Sequence, residues 1–152
     1  MRHRRDVDDL GHDDTGVVDG ADGGLTACAR TLDIALHAAE TGVLVLASLH
    51  THTAAEAVIR LEGFFPAAQQ DEIRMQLSLV LEAVITQQLL PAKTGGRVAA
   101  SEVLCATPAV RSLIRSGKVQ QFETIMMAGS KEGMQTMGQA IEKLAVQGKL
   151  AP

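Results

Sequence analysis

Apolar residues fall at regular helical or strand spacing from about Arg30 onward, and almost no such spacing exists before it. Leu32, Ile34, Ala35, Leu36, Ala38 and Ala39 predict a buried helix that ends at Gly42. Val43 to Ala47 is a continuous apolar run, the pattern of a short strand buried on both faces of a parallel sheet. Thr53-Ala-Ala-Glu56 has the form of a capping box, in which the Thr hydroxyl and the Glu carboxylate satisfy the first free amides of a helix. That helix carries Ala57, Val58 and Leu61 and stops near Gly63.

Pro66 suits the first turn of a second, longer helix. Its apolar stripe reads Ile73, Leu77, Val80, Leu81, Val84 and Ile85, with Asp71, Glu72, Arg74 and Glu82 mostly off it. Pro91 to Gly96 predicts a turn between two short extended pieces, Gln88 to Leu90 and Arg97 to Leu104. Thr107-Pro108, a cap followed by proline, starts a short helix to about Arg115. Another helix is expected from Lys118 to Met127. Ser130 is the candidate cap of the last helix, whose stripe is Met134, Met137, Ile141 and Leu144 and which ends near Gly148.

Residues 1 to 29 differ in kind. Seven Asp and five Gly fall within the first 24 residues. Such a segment buries too little apolar surface to offset its ordering entropy, so the expectation is a disordered acidic, glycine-rich arm on a folded block from residue 30 to 152.

Composition narrows the function classes. The chain has 152 residues, enough for one domain with a modest core. With three Phe, no Tyr and no Trp, that core comes from Leu, Ile, Val, Ala and Met, and the aromatic platforms of single-stranded nucleic-acid binders are missing. A net charge of -4 argues against a broad phosphate-binding surface, so no nucleic-acid partner is expected. No transmembrane helix is expected, and the charged N-terminus does not resemble a secretory signal. Cys28 and Cys105 lie far apart and outside any CxxC, which reads as reduced thiols. His50-x-His52 offers two alternating ligands with no third nearby, a poor metal site.

Five short segments carry a resemblance: AAETG (Ala38 to Gly42), SLHT (Ser48 to Thr51), GGRVAASEVL (Gly95 to Leu104), TPAVRSLIR (Thr107 to Arg115) and GMQTM (Gly133 to Met137). Together they resemble the C-terminal part of PilT-type ATPases, the hexameric motors of the secretion-ATPase superfamily that retract type IV pili. The resemblance runs from about Ala35 to Leu150. It implies an α/β fold, the last part of a RecA-like P-loop ATPase sheet with its helices, and hence a mostly helical chain with a few short strands. TPAVRSLIR resembles the retraction motif AIRNLIRE, with Ala109, Arg111, Leu113, Ile114 and Arg115 matching and Val110 a conservative change. Ser112 and Ser116 depart, and Ser116 removes the acidic end of the motif. Read without the resemblance, the same segment is a small surface helix. Arg111 and Arg115 form its basic side, and Val110, Leu113 and Ile114 its apolar side.

SLHT resembles the end of the family's histidine box. The resemblance places His50 near the nucleotide, where an imidazole senses the γ-phosphate by hydrogen bond. The box normally has another His just after AAETG, where this chain has Val43. The plain alternative is a loop histidine with a structural bond. The intact family implies ATP and Mg²⁺ as cofactors, a hexameric ring or an intact motor subunit as partner, inner-membrane components of the pilus machinery nearby, and a cytoplasmic location at the inner membrane.

No GxxxxGK[ST] is present, because the Lys that follow Gly, Lys118 and Lys149, precede neither Ser nor Thr. The arm before AAETG shows neither the family's GE-x-RD segment nor an apolar strand leading into a Glu. No catalytic residue is therefore assigned, no cofactor is expected for the chain alone, and it is not expected to hydrolyse ATP. The abrupt boundary near Arg30 suggests a truncated or frame-shifted gene with residues 1–29 out of frame. The other reading is a non-enzymatic helical interaction module derived from such a motor.

Overall fold

The computed structural model describes the backbone of residues 15–19 and 25–151, and side chains from Ala29 to Ala151. Strand β1 (Thr15–Asp19), helix α1 (Leu25–Glu40) and strand β2 (Leu44–Ser48) form a βαβ unit. The strands pair in parallel, from Thr15 opposite Leu44 to Asp19 opposite Ser48. Two expectations change here. The glycine-rich arm contains a strand, Thr-Gly-Val-Val-Asp, that leads into an Asp rather than a Glu. Helix α1 begins at Leu25, five residues before the expected onset, so the change of composition near Arg30 is not an element boundary. Disorder expected for the rest of the arm concerns residues outside the described ones. Helix α1 buries Leu32, Ala35 and Leu36, one face at i, i+3 and i+4. It stops at Thr41-Gly42, where Gly42 takes the left-handed conformation (φ +94°) natural to a glycine cap.

Helix α2 (Ala54–Gly63) starts at the expected cap: Thr53 Oγ1 accepts the Glu56 amide at 3.1 Å. The second half of the box differs, because Glu56 Oε2 accepts the His52 amide at 2.9 Å rather than that of Thr53. After a short 3-10 turn at Ala67–Gln69, α3 (Gln70–Val80) is shorter than its stripe suggested. Leu81 is extended, and Val84 and Ile85 belong to strand β3 (Ala83–Pro91). The run Val84-Ile85-Thr86 is β-branched throughout, and cross-strand pairing overrides a coincidental helical spacing. Strand β4 (Arg97–Cys105) pairs antiparallel with β3 over nine positions, and Gly95 and Gly96, both with positive φ, close the hairpin.

Helix α4 (Pro108–Arg115) is capped by Thr107, as expected. Helix α5 (Phe122–Ala128) follows a 3-10 turn at Val119–Gln121, so the expected Lys118 to Met127 helix opens with a 3-10 turn and is α-helical from Phe122. Ser130 does not cap the last helix but opens another 3-10 turn. The cap of α6 (Met137–Val146) is Thr136, in a reciprocal box with Gln139. Met134 precedes that helix and packs into the core.

One core joins these elements. Val58 of α2, Leu77 of α3, Leu104 of β4, Val110 and Ile114 of α4 and Phe122 of α5 sit at its centre, each 2% exposed or less. Burying a side chain of this size stabilises the fold by about 1.5–3 kcal/mol. The apolar run in β2 is not buried on both faces: Leu44 is 52% and Leu46 54% exposed. The strand has β1 on one edge, no other described strand on the second, and α1 as its main packing partner. Among the described residues, no helix is long and apolar enough to cross a membrane.

Candidate functional site

The retraction-like segment forms a corner between α4 and the end of α3. Thr107-Pro108 fixes where α4 starts, and the apolar side of the helix enters the core: Val110 and Ile114 are fully buried, and Leu113 packs against them. The opposite side carries Arg111 and Arg115. Arg111 does more than face solvent. Its Nη1 donates to the carbonyl oxygens of Ser78 (3.0 Å) and Leu79 (2.7 Å), and its Nη2 to Glu82 Oε1 (2.9 Å). Those carbonyls belong to the last turn of α3, where a helix has no amides left to fill them. A cation there also opposes the negative end of the helix dipole. Arg115 is exposed, with Nη1 3.5 Å from Ser78 Oγ. Ala109 is exposed and Ser116 is the C-cap of the helix.

The histidine-box segment lies elsewhere. His50 is exposed, two residues beyond the end of β2 in the loop to α2. Its carbonyl accepts Arg60 Nη1 at 3.4 Å, and the amide of His52 is held by Glu56. Val43, where the family pattern has a second histidine, is partly buried between α1 and β2.

His50 and Arg111 thus sit on different elements: a loop at the end of a parallel strand, and the corner where α4 meets the end of α3. Among the described residues no group of three or more His, Cys, Asp and Glu could hold a metal ion. Cys105 is a free thiol, and Cys28 lies outside the described side chains.

Sequence reasoning missed Glu102. This carboxylate is 5% exposed, in the middle of β4. Its Oε1 accepts the amide of Ala54 at 2.8 Å and its Oε2 the amide of Met137 at 3.3 Å. These are the first residues of α2 and α6, so one buried side chain serves two helix starts. The signal was present: in β4, Ala100, Glu102 and Leu104 alternate on the inward face, so period 2 puts the Glu in the core. GMQTM adds itself to the same strand. Gln135 exchanges backbone hydrogen bonds with Val103 at 2.9 and 3.0 Å, and its Nε2 donates to Ser101 O.

Comparison with known proteins gives the geometry a context. Residues 28–95 match the family described as Type II/IV secretion system protein. The chain is 48% identical over 124 residues to a twitching motility protein of Neisseria gonorrhoeae, covering 81% of this chain and 33% of that protein. It is 42% identical over 122 residues to the type IV pilus retraction ATPase PilT of Pseudomonas aeruginosa, covering 80% of this chain and 36% of the relative. The crystal structure of the pilus retraction motor PilT with bound ADP superposes with a TM-score of 0.77 at 40% identity, over 91% of this chain and 37% of that one. The chain therefore spans about a third of the length of the relatives it matches.

Proposed function

We propose, from the premise that this chain corresponds to part of a PilT-type type II/IV secretion ATPase, that it supplies the C-terminal region of a type IV pilus retraction motor. In this reading the whole protein uses ATP and Mg²⁺ in a hexameric ring, works on the cytoplasmic side of the inner membrane, and meets the membrane components of the pilus machinery there. His50 is its nucleotide-facing histidine. Helix α4, through Ala109, Val110, Arg111, Leu113, Ile114 and Arg115, is its retraction helix. The observation that supports this most is the α3–α4 corner: TPAVRSLIR folds as an amphipathic helix, with its apolar side in the core and Arg111 seated on the end of α3.

The 152-residue chain by itself does not turn over ATP in this reading. Its sequence has no GxxxxGK[ST], the loop whose amides, Lys and Ser or Thr hold the phosphates and Mg²⁺ in P-loop enzymes. Purified chain assayed with Mg²⁺-ATP is expected to match a mock purification, and mixed with an intact PilT-type subunit it is expected to enter the ring. Turnover above the mock would overturn the first statement, and exclusion from the ring the second.

A non-enzymatic interaction module is the alternative, and one observation favours it. Leu44 and Leu46 on β2, and Ile85 and Leu89 on β3, are exposed apolar side chains on strands whose outer edges pair with no other described strand. Stable capture of a partner other than a motor subunit would favour this module.

A further inference from the structure

We infer that Glu102 is the positioning residue of the His50 loop, and that it couples this loop to the 133–137 segment. Strand β4 presents Glu102 to the interior, where an unpaired carboxylate is costly. Two amides that no helix can satisfy internally meet it there, one from each oxygen: Ala54 at 2.8 Å and Met137 at 3.3 Å. Ala54 begins α2, immediately after the loop that carries His50, His52 and the cap Thr53. Met137 begins α6, two residues after Gln135, which is already paired to Val103 and Ser101 on β4.

The loop therefore ends on a fixed point, and that point is the same carboxylate that fixes the start of α6. Shifting one helix start pulls on the shared acceptor of the other. Directly across the hairpin from Glu102, Thr86 is also buried, and its Oγ1 has no hydrogen-bond partner. In this structure Thr86 therefore does not share the carboxylate, which is held by the two amides. The inference depends on the proposed function only in treating the His50 loop as the nucleotide-facing one; the coupling stands on the contacts.

The test uses the 152-residue chain, isotope-labelled, without nucleotide, and the variant E102Q. A glutamine is isosteric but accepts with one atom and donates with the other, so one helix start then faces a donor. Amide exchange at both Ala54 and Met137 is expected to accelerate by about tenfold or more. The His50 ring resonances are expected to move, while the amides of α4 keep their protection. The control I114V shortens the core on α4 and is expected to leave the His50 ring resonances in place. Acceleration at only one helix start, uniform loss of protection, or an unmoved His50 ring would overturn the inference. If E102Q does not fold, exchange of the wild type through a urea series decides. A common opening for Ala54 and Met137 upholds the coupling, and independent openings refute it. Because no nucleotide takes part, failure here leaves the motor reading standing, and exclusion from a motor ring leaves the coupling standing.

Discussion

The two strand pairs of this molecule are built from similar residues and end up in opposite conditions. The β3–β4 hairpin closes on itself: nine positions pair, its inward face holds Ala100, Glu102 and Leu104, and residues 149–151 bond back across the turn to Pro91 and Lys93. The β1–β2 pair is as apolar in sequence, yet Leu44 and Leu46 remain half exposed. An antiparallel hairpin needs only a local turn and one covering layer. A parallel strand with a continuous apolar run calls for neighbours on both edges and cover on both faces. Stability is thus concentrated around the hairpin and the α3–α4 corner, and β2 is the surface that calls for company.

Truncating each strand pair in turn sharpens this contrast. L104A, on the inward face of β4, is expected to cost about 2–5 kcal/mol in a denaturant titration. L46A on β2 should change stability by no more than about 0.5 kcal/mol. Equal losses would show that β2 is as well packed as the hairpin. The next effect in size is at the corner. R111A leaves the Ser78 and Leu79 carbonyls without their donor and is expected to lower stability by about 1–3 kcal/mol. R111K should recover little, since an ammonium lacks the planar fork that reaches two carbonyls and Glu82 together. A stability unchanged in R111A would return Arg111 to the status of a solvated surface charge. T136A removes a reciprocal cap and should cost about 1 kcal/mol.

The smallest effect lies on α1. The pKa of His37 is raised, first by the hydrogen bond between its Nδ1 and the Asp33 carbonyl (2.9 Å) and then by the Asp33 charge. A raised folded-state value means its contribution is complete below the unfolded pKa and is lost as pH rises through the folded one. The ring should titrate above 6.5 by NMR, and D33N should lower its midpoint. An unchanged midpoint in D33N would remove the charge from this explanation.

How much of this was legible depended on whether the signal was local. Thr53, Thr107-Pro108 and Gly95-Gly96 act on their own neighbours, and each did what its chemistry dictates. Val84 and Ile85 continued a helical stripe by coincidence, and only pairing with Leu104 and Val103 across the hairpin decides against it. Ser130 and Thr136 are both capable caps, and the choice fell to Thr136 because Gln139 completes its box. Of the candidate site, α4 was legible as an amphipathic helix, but the seat of Arg111 on α3 was not. Its acceptors lie 32 and 33 residues away, and backbone carbonyls have no sequence signature. Glu102 was legible as an inward-facing residue of β4, but its partners were not, being amides of residues 48 and 35 positions distant.

In the proposed function, residues 30–151 carry the histidine loop and the retraction helix of a PilT-type motor. Its most direct test is a chimera in which these residues replace the corresponding region of an intact PilT-type retraction ATPase. The measurement is Mg²⁺-dependent ATP hydrolysis by the purified ring. The chimera is expected to hydrolyse ATP, and H50A in it to lower turnover while leaving the ring assembled. A chimera that assembles but is inactive, or one whose turnover is unchanged by H50A, would contradict that function.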